Sequence, residues 1–396
     1  MFSEGLLTAA HGTGAIFSRN FAAYPADRLE NWFVGQSGDP LLARTFSFNA
    51  ARWPAGNCFP PTIALAKLWN RLLAPLVGRQ WSVPVDRAAV AAAARARGSR
   101  AALVYAIVYS RPGLDVLAAA LAGLGRPVPV ILQLQDFFPS AHLGFRRALR
   151  RLRPHVAAVW AVSDAIARYA GPALGRPVQV DPLFNLELPA ATKRNHRAFN
   201  PGFDTVVLGN FWQPVLLADL KAAWGRVQAR LPGLGPVRWH CHPAGVERVR
   251  AAGCEPGPEV EPAPFLTGAD LFARLQAADL AVIPFSRHAR ATTDYERYSL
   301  PSRITELAAA GLPIAGLTGP GTPLHEYLSG RDIGRCAPAA ATAAAADLLE
   351  TLVRDQPLRA RLGTRARALA EREFPLERQQ ARLYAEFARL ARAPVA

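Results

Sequence analysis

Short apolar runs recur along the chain, each followed by a longer stretch whose apolar positions repeat at helical spacing. In the first half, "GLLTAA" (5–10) predicts a strand, the "HGTG" turn follows, and "AIFSRNFAAY" predicts a helix. A long helix is expected over "PTIALAKLWNRLLAPL". Strands are then expected in "AALVYAIVYS" (101–110), "VPVILQLQD" (128–136), "HVAAVWAVS" (155–163) and "RPVQVDPLFN" (176–185), with "GLDVLAAALAGLG" as a helix between the first two. Strands apolar on both faces and separated by helices imply a parallel sheet covered on both sides.

Residues 189 to 203, "PAATKRNHRAFNPGF", interrupt this pattern with polar residues and prolines and read as a linker. Alternation restarts with strand "DTVVLGN" (204–210), helix "LLADLKAAWGRVQARL", strand "PVRWHCH", helix "AGVERVRAAG" and strand "VEPAPFL". Helix "GADLFARLQAA", strand "DLAVIPFS" (279–286), a proline-led helix and strand "LPIAGLTG" follow, then a helix-rich stretch from about Thr342. The fold class expected is α/β, two Rossmann-like domains facing a central cleft. The domains span 1–195 and 196–374, and a C-terminal helix, 375–396, packs back toward the first. Ligands of such sheets lie outside the carboxyl ends of the strands.

The chain has 396 residues, 51% hydrophobic and 19% charged, which suits globular domains rather than disorder. Its net charge is +16, yet Lys67, Lys193 and Lys221 are the only lysines. Arginine is thus enriched along with Ala, Gly and Pro, and charge alone does not identify a basic partner. The four cysteines, Cys58, Cys241, Cys254 and Cys336, lack CxxC spacing. With no apolar run of bilayer length and no secretory pattern at the N-terminus, a cytoplasmic chain is expected, with contact at the inner face of the membrane as an alternative.

In "SLPSRITELAAAGLPI" (299–314), Pro301 suits a first helical turn and Gly311 a C-terminal cap. Ile304, Leu307 and Ala308 give the core face. Arg303 and Glu306 are helix-surface neighbours, either a solvated ion pair or two groups aimed at a ligand.

This stretch, with "DLAVIPFS" before it, resembles the retaining glycosyltransferases of the GT-B fold, close to family four. "VWAVSDAIARY" (159–169) and "VVLGNFW" (206–212) are similar to that family's last N-domain strand and the start of its second domain. The resemblance implies that Glu306 binds the ribose of a nucleotide-diphosphate-sugar and that Arg303 neutralises the diphosphate, acting in catalysis. Ser302 would donate to a phosphate oxygen. Gly12, Thr13 and Gly14 would approach the donor, and Asn210, His242, Phe265, Tyr298 and Ser299 would complete its site. Tyr298 stands where the family's first glutamate would be, and Glu296 is two residues early. The family's basic pair in the second domain is missing, since only Lys221 follows "GNFW"; Arg287 and Arg290 are the candidate replacements. No cofactor is expected beyond the nucleotide-sugar co-substrate.

Asp136 ends a buried strand and either orients a hydroxyl in catalysis or caps a helix. His240 and His242 share a strand face without a third ligand, so packing or a wall role is expected and no metal. Phe265 lies either in a base-binding loop or in the core. "FRRALRRLR" (145–153) sets Phe145, Leu149 and Leu152 on one face among five arginines. It reads as a solvated face, or as a surface for anionic lipid headgroups; no nucleic-acid motif accompanies it. The function expected is sugar transfer to an acceptor hydroxyl, on an envelope glycan or lipid-linked acceptor. A nucleotide-sugar epimerase of the same fold and a non-enzymatic basic binding protein are the rivals.

Overall fold

A computed structural model of the chain describes residues 2–3, 19–33, 45–47, 85–108, 110–135, 144–182, 184–190 and 196–392. The "GLLTAA" strand, Gly12, Thr13, Gly14, the long helix expected at 61–76 and Asp136 lie outside the described residues. The chain divides into two compact units. The first comprises 1–183, 298–300 and 376–396, and the second 184–297 and 301–375.

In the first unit the described residues include helical residues 19–22, a 3-10 turn (Ala26–Arg28), β1 (Phe2–Ser3), β2 (Asn31–Phe33), β3 (Thr45–Ser47), α1 (Arg87–Arg97), β4 (Val104–Val108), α2 (Arg111–Gly123), β5 (Val130–Leu134), α3 (Phe145–Leu152), β6 (Val156–Ala161), α4 (Asp164–Leu174) and β7 (Gln179–Val180). Their sheet is parallel, in the order β3-β2-β1-β4-β5-β6-β7. The expected strands 101–110, 128–136, 155–163 and 176–185 appear as β4 to β7, each shorter than its apolar run. Residues 31–33, 45–47 and 87–97 are elements the periodicity did not reveal, the strands being only three residues each. Ser110 and Ser163 cap α2 and α4, their hydroxyls accepting from the backbone N–H groups of Gly113 and Ile166.

The second unit runs β8 (Thr205–Leu208), α5 (Val215–Arg230), β9 (Val237–His240), α6 (Pro243–Ala251), β10 (Val260–Ala263), α7 (Gly268–Ala277), β11 (Leu280–Pro284), α8 (Asp294–Tyr298), α9 (Ile304–Ala309), β12 (Ile314–Leu317), α10 (Pro323–Gly330), β13 (Gly334–Ala337), α11 (Thr342–Arg354) and α12 (Gln356–Glu373). The last residue of α8 belongs with the first unit, as does the final helix, α13 (Leu376–Arg392). The second sheet is parallel in the order β10-β9-β8-β11-β12-β13. Both orders reverse direction at the first strand of their unit, β1 or β8. This doubly wound arrangement leaves a crevice at the carboxyl ends there.

Each unit buries its own core. In the second, Trp224, Trp239, Leu217, Val282 and Ala346 pack between sheet and helices. In the first, α13 lays Leu383, Phe387 and Leu390 on Tyr105, Ile107, Ile131 and Trp160, and each such side chain contributes about 1.5–3 kcal/mol on burial. The arginine-rich helix α3 buries Phe145, Ala148, Leu149 and Leu152. Arg151 donates to Asp115 at 3.0 Å, and the Arg146 guanidinium lies 4.6 Å over the Tyr169 ring. Arg147 and Arg150 are exposed. Among the described residues no helix is long and apolar enough to cross a membrane.

Candidate functional site

Strand β8 ends at Leu208 and is followed by Gly209, whose φ of 74° is left-handed and favours glycine. A Cβ there would also meet the Arg303 guanidinium at 3.4 Å. The carbonyls that follow the strand are taken one after another. Arg303 Nη1 donates to Leu208 O, Trp239 Nε1 to Gly209 O at 2.7 Å, and Arg303 Nη2 to Asn210 O at 3.1 Å. Arg303 is thus held by strand-end carbonyls as well as lying within Coulombic reach of Glu306. It reaches back to the central strand, and its guanidinium is fixed at the carboxyl end of the sheet. Burial pushes its pKa down, while Tyr295 and Glu306 act in the opposite direction.

The helix bearing Glu306 begins later than the sequence predicted. Ile304 N–H donates to Pro301 O and Thr305 N–H to Ser302 O, so residues 301–303 form a turn and α9 starts at Ile304. Thr305 Oγ1 also donates to Ser302 O at 2.7 Å, which tightens that turn. Ile304, Leu307 and Ala308 are buried, as their spacing required. Gly311, with φ 66°, closes the helix, and Leu312 N–H donates to Leu307 O in a Schellman pattern. Glu306 sits half-buried in the first turn, one turn from Arg303, with Ser302 half-buried just ahead.

Asn210 is exposed, and its side chain lies against the first turn of α6. A Cβ on Gly245 would stand 2.1 Å from Asn210 Oδ1, so glycine is what admits this approach. His242 caps α6: its Nδ1 accepts from Ala244 N–H at 3.3 Å, and its ring meets Phe265 edge-on with centroids 6.0 Å apart. Phe265 is 53% exposed, which removes the core-burial alternative for it.

Three expected donor residues are placed elsewhere. Arg287 forms a two-point ion pair with Asp219, at 2.7 and 3.1 Å, that raises its pKa. Its fork is already filled by a carboxylate of α5. Tyr298 buries its ring in the core of the first unit, edge-on to Tyr169 at 5.9 Å, and its carbonyl accepts from Ser163 Oγ. Ser299 belongs to the same unit; it is buried and its hydroxyl has no hydrogen-bond partner.

Glu296, the nearest carboxylate to the family's first glutamate, is 1% exposed. Its Oε2 accepts from Thr292 N–H, Thr292 Oγ1 and Thr293 N–H, at 2.7, 2.8 and 3.1 Å, and Thr293 Oγ1 accepts from Glu296 N–H in return. This is a capping box at the start of α8. Gln213 donates to the other oxygen at 3.2 Å. Glu296→Ala is expected to cost about 1–3 kcal/mol by orphaning these donors. Chemical denaturation checks this, and nucleotide affinity of the folded fraction should stay at the wild-type value.

His240, the other strand-end histidine, is buried. Its Nε2 accepts from Arg274 Nε at 3.0 Å, so Nδ1 carries the proton and donates to Pro264 O at 2.8 Å, just before Phe265. Arg274 in turn is paired with Asp204. Burial first, with the Arg274 and Arg238 charges, lowers the His240 pKa, against the Pro264 bond and Asp204. The unfolded chain thus binds a proton near pH 6.5 that the folded chain refuses, and stability falls as pH drops below that value. His240→Gln, whose amide can supply one donor and one acceptor, should flatten this pH dependence of the unfolding midpoint. Equal slopes would remove His240 from the account.

Sequence reasoning missed an aromatic group beside Arg303. Trp212, 40% exposed, stacks on Tyr295 at 4.2 Å and 20°, and Tyr295 leans on Phe285. No motif signals the pair, because its members are far apart in the chain.

No protein-family pattern and no curated protein matches the chain. Solved structures do. HepE from Anabaena, in complex with UDP-glucose, is 15% identical, with 98% of each chain covered and a TM-score of 0.60. Sucrose-phosphate synthase from Thermosynechococcus elongatus is 13% identical, with 96% of this chain and 92% of that one covered and a TM-score of 0.60. A glycosyltransferase from Rickettsia africae is 12% identical, with 99% and 98% covered and a TM-score of 0.58. The two doubly wound sheets and these whole-chain matches give the chain the GT-B fold of glycosyltransferases.

Proposed function

We propose that the chain transfers a sugar from a nucleotide-diphosphate-sugar, a UDP-sugar first among them, to an acceptor hydroxyl. The observation that carries this reading is Arg303, fixed on the carbonyls of Leu208 and Asn210 at the carboxyl end of β8, with Glu306 one turn away. Two of its five N–H donors hold the strand, and others remain for phosphate oxygens. Charge grows on the diphosphate as it leaves. A guanidinium already held in position stabilises that charge without reorganising. Glu306 suits a ribose, because a carboxylate accepts from two neighbouring hydroxyls. The UDP-glucose complex of the Anabaena neighbour supports uridine as the base to test first. Retention of anomeric configuration is the finer part of the proposal. It rests on the resemblance of residues 279–316.

Incubation with UDP-sugars, followed by product analysis, tests the proposal. UDP release with a new glycoside, or with slow formation of free sugar of unchanged anomeric configuration at first appearance, is expected. A donor returned as its epimer indicates the rival enzyme, and no turnover of any donor contradicts the proposal.

A further inference from the structure

The segment that leaves β8 holds a second arginine. Arg248 of α6 donates from Nη2 to Trp212 O at 2.6 Å, and its guanidinium lies 5.9 Å from the centre of the Trp212 ring. It stands three residues beyond Gly245, on the same face of α6, and Gly245 is where the helix admits Asn210. Arg303 is bound to Asn210 O and Arg248 to Trp212 O. These carbonyls are two residues apart, and two residues of chain span at most about 7 Å. Of the cations expected from the sequence, Lys221 donates to Glu255 O at 2.8 Å and Arg287 is paired with Asp219, while Arg290 is exposed.

We infer that Arg248, racked on Trp212 beside Arg303, is a second guanidinium for the donor's diphosphate, supplying the charge that the start of the second unit otherwise lacks. The inference rests on the proposed nucleotide-sugar reading and adds to it a residue from another helix. Trp212 sets the geometry. Its carbonyl takes one N–H, its ring limits the swing of the exposed side chain through a cation–π contact, and Tyr295 supports the ring from beneath. A guanidinium tethered at one edge keeps its other donors for phosphate oxygens, whereas an untethered surface arginine would lose more rotamer freedom on binding.

The test compares UDP, UMP and uridine by calorimetry on the wild-type chain, Arg248→Gln and Arg248→Lys, with unfolding midpoints as the control for folding. Wild type should bind UDP more tightly than UMP. Arg248→Gln should weaken UDP about tenfold and uridine hardly at all, so the UDP-to-UMP ratio contracts. Arg248→Lys should recover part of the ratio, since charge is kept but the fork is lost. A merely structural role would change all three ligands together. If wild type binds UDP and Arg248→Gln keeps the wild-type ratio, the inference is overturned and the nucleotide reading stands. If wild type binds no uridine nucleotide, both are overturned.

Discussion

Arg303→Ala is expected to raise the Kd for UDP about a hundredfold while changing uridine affinity far less. Charge-assisted hydrogen bonds contribute about 1.5–3 kcal/mol, and roughly 2.7 kcal/mol corresponds to a factor of one hundred. The same substitution deprives Leu208 O and Asn210 O of their donor, so thermal stability should fall as well. Arg303→Lys separates the two effects. A single ammonium retains positive charge but lacks the planar fork that spans two carbonyls, so it should recover less than half of the lost binding free energy. Calorimetry with the nucleoside and its diphosphate checks this. Equal losses for both ligands would show that Arg303 acts on the fold and not on a phosphate.

Glu306→Ala is expected to weaken UDP by one to two orders of magnitude, with the fold intact, because a half-buried carboxylate in the first turn of α9 is lost. The comparison that isolates its partner uses UDP lacking the ribose hydroxyls. In the wild-type chain, removing those hydroxyls should cost nearly as much as removing Glu306. In Glu306→Ala it should cost little, because the two changes delete the same bonds and are not additive. Full additivity would detach Glu306 from the ribose.

Much of the fold was legible in the sequence because both-face burial writes itself as continuous apolar runs. "DTVVLGN" and "DLAVIPFS" gave β8 and β11 within a few residues. Short elements carried too little pattern: β13 has four residues and α8 five. The start of α9 was misplaced because Pro301 and Ser302 use their carbonyls in a turn, a choice that proline chemistry alone does not decide.

The candidate site was legible only where local spacing set it. Ile304, Leu307 and Gly311 followed from helical period and cap. Arg287 did not, because its partner Asp219 lies in α5, 68 residues away. Tyr298 was assigned by its offset from Glu306, but its ring gains more from the apolar core of the first unit. Glu296 is near the right place in the chain, and a capping box that uses Thr292 and Thr293 claims its carboxylate. Arg248 and Trp212 could be found only from the packing of α6 on the end of β8.

On the proposed reading, the second unit holds a nucleoside diphosphate at the carboxyl end of β8. Titration of the wild-type chain with UDP, GDP and ADP in a calorimeter tests it most directly. At least one of them, UDP first, should bind with a Kd in the range of about 1 μM to 1 mM, and more tightly than its nucleoside. Absence of binding by all three, or equal affinity for nucleoside and diphosphate, would contradict it.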